Sequence, residues 1–422
     1  MLTALTSTAL CTARLHGQQA DRPSAPALSL ARARELARQA SPELTAAREA
    51  IRAAFGRERQ ARGYPNPTLS YQREQTSGDG QRNSQNILSV DQAIEPGGVR
   101  GARVEVATTR RMIAEARLAG VETQLDFDVA RAYALAVAAD RRTTLARQAA
   151  TAFARAGTVS RTRLAEGDVS GYANRRIQLE AARYAGQLAA ATLSRKSARL
   201  TLASLLGFSS QVLSGEALML EDSIGFDALM IADDSLQSLA ARHRAELQVG
   251  ILEMEAARAE SRLVARERTP VPTATGGLKN EAVIGGGDFR GFVLGVSIPV
   301  PLWDRRKGAL EAAGADERRR AAEAETVRRR VAREVAEAVE GYRAVEEQLS
   351  LLRPHLGVES SAALSAALTA YSEGEISLVE WLDAVRAYQE AEASFADLAA
   401  ESTIRRATLE RAVGVSLFRS VR

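Results

Sequence analysis

The side chains best able to do chemistry in this 422-residue chain are few and scattered. Its three histidines, His16, His243 and His355, stand far apart, and its one cysteine, Cys11, lies near the start. A Cys- or His-based metal centre and a disulfide within the body are therefore excluded. The 52 Asp and Glu residues include many close pairs, but no His, Cys or Ser constellation accompanies them as acid–base or nucleophilic catalysis would need. Gly285-Gly286-Gly287 has the composition of a phosphate loop. No Lys-Ser or Lys-Thr follows it, however, and it lies between two strand-like runs, so it reads as a hairpin turn. Against 56 Lys and Arg the formal net charge is only +4, and the arginines are interleaved with glutamate, as in Glu317-Arg318-Arg319-Arg320-Ala321-Ala322-Glu323. That pattern makes solvated helix faces rather than a one-sided nucleic-acid surface. The expectation is a protein with no catalytic centre, no resident metal and no nucleic-acid partner.

What the chain offers instead is repetition. Pro65-Asn66-Pro67 returns as Pro270-Val271-Pro272, and Pro96 ahead of Gly98-Val99-Arg100-Gly101 returns as Pro301 ahead of Arg305-Arg306-Lys307-Gly308. Glu166-Gly167-Asp168-Val169-Ser170 returns as Glu373-Gly374-Glu375-Ile376-Ser377, and Leu206-Gly207 as Val413-Gly414. A period this long, roughly 200 residues, is beyond solenoid or propeller repeats and marks two structural halves.

Each half predicts the same elements. Helical periodicity runs from Leu28 to about Arg62, with a break at Ser41-Pro42-Glu43, and again over about 235–268. Alternation in Thr68–Glu74 and Asn86–Ile94, about a turn at Ser77-Gly78-Asp79-Gly80, predicts a β-hairpin with one oily face. Thr273–Ile284 and Phe289–Pro299 predict a second, with Phe292, Leu294, Val296 and Ile298 together. Helix-compatible stretches follow, over about 100–165 and 308–372. The second carries Val335, Ala338, Tyr342, Val345, Leu349, Leu352 and Leu356 at coiled-coil spacing, and Pro354 should bend or locally break it. At ~1.5 Å per residue such a helix is a rod of roughly 100 Å. A shorter helix after each glycine turn ends at Gly207 or Gly414. The expected organisation is a segment 1–27, a first repeat 28–207 (hairpin about 66–95, tip 167–170), a linker 208–234, and a second repeat 235–418 (hairpin about 272–299, tip 374–377).

No uncharged apolar run approaches the ~20 residues of a spanning helix, so any membrane crossing must use strands. Met1–Ala13 is uncharged and partly apolar, and Gly17-Gln18-Gln19-Ala20 follows. This reads as a secretory signal peptide clipped at its basic end, with lipidation at Cys11 as the alternative. Four strands cannot close a barrel, and a membrane barrel needs at least about eight, so spanning requires several copies. With Ser70, Gln72, Ser89 and Asp91 turned to a lumen, three copies would give twelve strands around an open pore; the count alone also allows two.

These features together resemble the TolC-like outer-membrane efflux proteins. The likeness rests on the duplicated unit, the paired Gly-x-x-Ser turns (Gly167 to Ser170, Gly374 to Ser377) and Tyr371 ahead of the second turn. Tyr64-Pro65-Asn66-Pro67 and Ser297-Ile298-Pro299-Val300-Pro301-Leu302-Trp303-Asp304-Arg305 resemble the heavy-metal, CzcC-like branch. The resemblance implies a mainly α chain with a small β part, assembling as a homotrimer with a twelve-stranded barrel in outer-membrane lipid and a twelve-helix periplasmic barrel. It implies no catalysis and no cofactor, and partnership with a periplasmic adaptor (membrane fusion protein) and an inner-membrane RND pump. The adaptor-contact tips carried over are Gly167, Asp168, Val169, Ser170, Gly374, Glu375, Ile376 and Ser377. The family's lumenal acids match Glu380 and Asp383, whose spacing puts both on one helix face and, in a trimer, in cation-favouring rings. The plain alternative is two solvated carboxylates. The first repeat departs, with Ala173 at the matching place. Rival expectations are a type I secretion or drug-efflux duct and, from another class, a soluble periplasmic coiled-coil scaffold or adaptor.

Overall fold

A computed structural model describes residues 27–78, 81–208, 219–221, 229, 231–284, 286–352 and 358–417. The expectations for the leader, Cys11, Pro354, Leu356 and most of the linker 208–234 lie outside the described residues.

The fold is mainly helical with one small antiparallel sheet. Helix α1 (Leu30–Ala40) starts under Ser29, whose hydroxyl accepts from the Arg32 N–H, and α2 (Pro42–Ala61) starts under Ser41, which accepts from Leu44 N–H at 3.2 Å. Pro42 suits the first helical position because the N–H it lacks would have no partner there. Strands β1 (Thr68–Gly78) and β2 (Gln81–Ala93) lead into α3 (Val99–Glu166), and α4 (Gly171–Leu205) returns alongside it. The second repeat gives α5 (Asp233–His243), α6 (Ala245–Arg266), β3 (Thr273–Val283), β4 (Gly287–Ser297), α7 (Lys307–Leu352), α8 (Val358–Glu373) and α9 (Leu378–Val413).

The helix expected over about 235–268 is in fact two. Arg244 breaks it with φ −66° and ψ 115°, close to the −66° and 119° of Ser41. Arginine is no helix breaker, so tertiary contacts must hold the bend. The buried guanidinium donates to the Arg411 carbonyl and pairs with Glu246 at 2.7 Å and Glu334 at 2.9 Å. At both bends a left-handed glycine from the end of another helix fits against the break, Gly207 beside Ala40 and Gly414 beside His243.

Each long rod is thus flanked by two shorter helices in line, α2 and α4 along α3, α6 and α9 along α7. Apolar side chains make the seams. Ala132, Tyr133 and Ala136 pack with Ala33, Ala37, Leu44 and Leu202, while Val331, Val335, Ala338, Val339 and Tyr342 pack with Leu236, Leu409 and Val413. Of the expected coiled-coil residues, Val335, Ala338, Tyr342, Val345 and Leu349 are buried and Leu352 is half-buried.

The two hairpins join through β2 and β3 into one sheet of order β1-β2-β3-β4. Opposed residues share a face, so Leu69/Val90, Tyr71/Leu88, Leu278/Phe292 and Gly276/Leu294 lie on one side. Phe292 and Leu294 there are both 76% exposed. The other face holds Ser70, Asp91 and Thr275, and the Asp91 carboxylate accepts from both hydroxyls, at 2.9 and 2.6 Å. Gly277 lets β3 come close to β2, since a Cβ there would meet the Leu88 carbonyl oxygen at 2.5 Å. Arg103 fastens the hairpin to the helices by pairing with Glu95 at 2.6 and 3.0 Å and donating to the Ala61 and Gly63 carbonyls.

Candidate functional site

The two tips form by the same local chemistry. Gly167 and Gly374 have φ of +85° and +84°, a region that costs L-residues and suits glycine. Their N–H groups each donate at 3.2 Å, to the Leu164 and Tyr371 carbonyls, and the next N–H donates at 2.9 Å to Arg163 or Ala370. Ser170 and Ser377 then cap the following helices, accepting from Ala173 and Glu380 N–H. The caps differ in one respect. The Glu380 carboxylate also accepts from the Ser377 N–H at 2.7 Å, completing a capping box that Ala173 cannot make.

The structure brings the tips together. Arg163 donates to the Ser372 carbonyl at 3.1 Å, reaching from the first hairpin to the second. Gly167, Asp168, Ser170, Gly374, Glu375 and Ser377 are exposed, whereas Val169 and Ile376 are half-buried. Just above lies an aromatic cluster of which the sequence analysis singled out only Tyr371. Phe153 of α3 stacks on Tyr184 of α4 at 4.1 Å and meets Trp381 of α9 at 4.8 Å, and Trp381 stacks on Tyr371 of α8 at 5.3 Å. Burial pushes the Tyr371 hydroxyl up from its ordinary pKa. Beside the cluster Arg386 pairs with Glu180 at 3.1 Å. A usable signal was there: these are bulky aromatics in otherwise alanine-rich stretches close to both turns.

Glu380 and Asp383 are exposed and three residues apart on α9. Their surroundings are not equivalent. The backbone N–H and hydroxyl of Ser377 hold the Glu380 carboxyl below the usual carboxylate range. A depressed pKa means that its support of the α9 start is present above the unfolded value and lost as pH falls through the folded one. Fraying of residues 377–380, followed by amide exchange, is therefore expected as pH drops below about 4.3, and Glu380→Gln is expected to remove that pH dependence. Asp383→Asn should leave the same exchange unchanged, since Asp383 makes no such bond among the described residues. Equal acid sensitivity in wild type and Glu380→Gln would rule out the capping role.

Among the described residues no group of three or more His, Cys, Asp or Glu side chains is placed to hold a metal ion, and no helix is long and apolar enough to cross a membrane.

The sequence profile of the family described as outer membrane efflux protein matches residues 33–208 and 236–415, the two repeats. The chain is 31% identical over 303 residues to the cobalt-zinc-cadmium resistance protein CzcC of Cupriavidus metallidurans, covering 69% of this chain and 67% of that one. It is 28% identical over 277 residues to the nickel-cobalt-cadmium resistance protein NccC of Alcaligenes xylosoxydans xylosoxydans, covering 62% of this chain and 58% of NccC, less than two thirds of that relative. The fold resembles the crystal structure of the CmeC outer membrane channel of Campylobacter jejuni, with a TM-score of 0.76 over 91% of this chain and 85% of that one at 13% identity.

Proposed function

The chain belongs to the outer membrane efflux protein family, and from that membership we propose that it is the outer-membrane conduit of a tripartite RND-type efflux system whose cargo is heavy-metal cations. It is a channel component and not an enzyme. The observation that carries the proposal is the open four-stranded sheet, apolar on one face and hydrogen-bonded across polar side chains on the other, set on a duplicated helical body. Such a sheet has two unpaired edges and an oily face that water does not favour. Three copies would supply a closed barrel of twelve strands with the apolar face to lipid, continued by twelve helices in the periplasm. Kinship to CzcC and NccC, both named for resistance to divalent metals, supports the cargo.

On this proposal the tips Gly167–Ser170 and Gly374–Ser377 meet the periplasmic adaptor, and Glu380 and Asp383 line the narrow end of the tunnel. Rings of carboxylate there favour cations. The energy comes from the pump, and the channel conducts passively.

Fractionation with unheated gel electrophoresis tests the core of the proposal. A heat-modifiable outer-membrane band near three chain masses is expected, and loss of the protein should sensitise cells to cobalt, zinc or cadmium. Unchanged tolerance to all three would overturn the metal assignment. Gly374→Val tests the tip. Its φ of +84° is hostile to a β-branched residue, and a Cβ would lie 3.3 Å from the Arg163 guanidinium. The assembled band should persist while metal tolerance falls to that of the deletion strain. Normal tolerance in this variant would remove the tips from adaptor contact.

A further inference from the structure

The two repeats differ at the foot of their hairpins. Residues 94–98 join β2 to α3, whereas residues 298–306 join β4 to α7, nine residues against five. The short connection turns on glycine, with Gly97 at φ +65° and Gly98 at +82°. The long one turns on Arg306 at φ +52°, which among the described residues is the one non-glycine in the left-handed region. That conformation is costly for an L-residue, and two contacts hold it. The Asp304 carboxylate accepts from the Arg306 N–H at 2.8 Å, and the Arg306 guanidinium pairs with Glu267 just past the end of α6. Pro299 and Pro301, each with a fixed φ, stiffen the approach.

What this loop displays is apolar. Phe292, Leu294 and Val296 alternate along β4, and the two-residue spacing runs on past the strand through Ile298, Val300 and Leu302, with Trp303 next. All of these are exposed, Trp303 93% so. The foot of the first hairpin treats its aromatic differently, for the Arg100 guanidinium lies over the Tyr64 ring at 4.3 Å. Trp303 has no such partner among the described residues. Cations gather at the same place. Arg305 and Lys307 flank Arg306, and the pairing of Arg306 with Glu267 brings Arg268 to the same foot. All three are exposed, and none makes an ion pair among the described residues. The neighbouring acids Asp304 and Glu267 are both engaged by Arg306.

We propose that this loop binds anionic phospholipid in the periplasm-facing leaflet of the outer membrane, with Trp303 at the boundary of headgroup and acyl chain and Arg268, Arg305 and Lys307 on the headgroup phosphate. This rests on the proposed barrel and adds the lipid that its second hairpin recognises. The level follows from the chain order: the helices lie on the periplasmic side, so the end of β4 that leads into α7 is where the oily band stops. An indole, apolar in body with one polar N–H, is favoured at that level. Three unpaired cations favour an anionic headgroup over a zwitterionic one. Left in water, the loop would expose a whole indole beside three aliphatic side chains. The first connection, with its glycines and its arginine-covered tyrosine, offers no second site of this kind.

Trp303 and Trp381 are the chain's two tryptophans, so the full chain carrying Trp381→Phe reports on Trp303 alone. It is inserted into vesicles of phosphatidylethanolamine and phosphatidylglycerol in which one lipid at a time carries bromine on its acyl chain close to the headgroup, where it quenches only an indole in contact with it. Stronger quenching by brominated phosphatidylglycerol than by phosphatidylethanolamine brominated to the same fraction is expected. Arg305→Gln with Lys307→Gln should lower that preference about tenfold while the assembled band persists. Equal quenching by the two lipids, unchanged in the charge variant, overturns the headgroup recognition. Quenching by neither lipid in an assembled, inserted protein overturns the site and leaves the channel proposal standing, with acrylamide quenching then assigning Trp303 to water and its absence assigning Trp303 to contact with protein. A chain that never inserts overturns both.

Discussion

Gly414→Ala is expected to destabilise the helical body by about 2–5 kcal/mol, read as a fall in the urea midpoint followed by helical circular dichroism in detergent. Two costs add. At φ +84° an L-residue is held in the left-handed region, at about 1–2 kcal/mol. The new Cβ would also lie 2.7 Å from the His243 carbonyl oxygen and 3.0 Å from the Arg244 Cα. Those are backbone atoms at the bend between α5 and α6, pinned by the buried Arg244 guanidinium, so they can yield only by moving the helix, at about 1–3 kcal/mol more. Gly207→Ala should be nearly as damaging, because its Cβ would approach the Ala40 Cβ to 2.5 Å and an alanine has no rotamer with which to move aside. Gly167→Ala provides the scale. Its φ is +85° but nothing lies within 4 Å, so only the backbone cost of about 1–2 kcal/mol should appear. If all three alanines shifted the midpoint equally, the close seating of Gly207 and Gly414 would have no energetic weight.

The same two glycines show how far the sequence could be read. The pairing of Leu206-Gly207 with Val413-Gly414 is visible as repetition, and a glycine after a helical stretch is a stop signal. Its second duty, letting one helix end press on another's bend, depends on residues far away in the chain and leaves no local trace. The bend at Ser41 was legible because serine and proline carry their own capping chemistry. The bend at Arg244 was not, because it is held by Arg411, Glu246 and Glu334. Strand alternation and turn glycines made the hairpins plain, but their merging through β2 and β3 is a long-range pairing. At the tips the serine caps were readable from spacing, and so was the shared helix face of Glu380 and Asp383. That Glu380 spends its carboxylate on the Ser377 N–H was not foreseen, although Ser-x-x-Glu is the capping-box pattern.

Trp381→Ala is expected to cost about 3–5 kcal/mol, whereas Trp381→Phe should stay within about 1 kcal/mol of wild type. Trp381 is fully buried and is the side chain on which both hairpins converge, touching Phe153 from the first and Tyr371 from its own. Truncation leaves a cavity between four helices that cannot collapse without tilting rods of tens of residues. Phenylalanine keeps a ring in the stack and removes the indole N–H, which is buried with no hydrogen-bond partner among the described residues. Losing an unpaired donor offsets part of the lost area. The consequence should reach the tips. Ile376, Leu378 and Leu382 pack on this cluster, and Arg163 spans to Ser372 just below it, so the two turns are held as one surface. Amide exchange at residues 374–377 should therefore rise in Trp381→Ala and remain near wild type in Trp381→Phe, with metal tolerance falling only in the first. Wild-type exchange at the tip in Trp381→Ala would mean that the caps at Gly374 and Ser377 alone order the turn, and that the aromatic cluster stabilises the rods without positioning the surface offered to a partner.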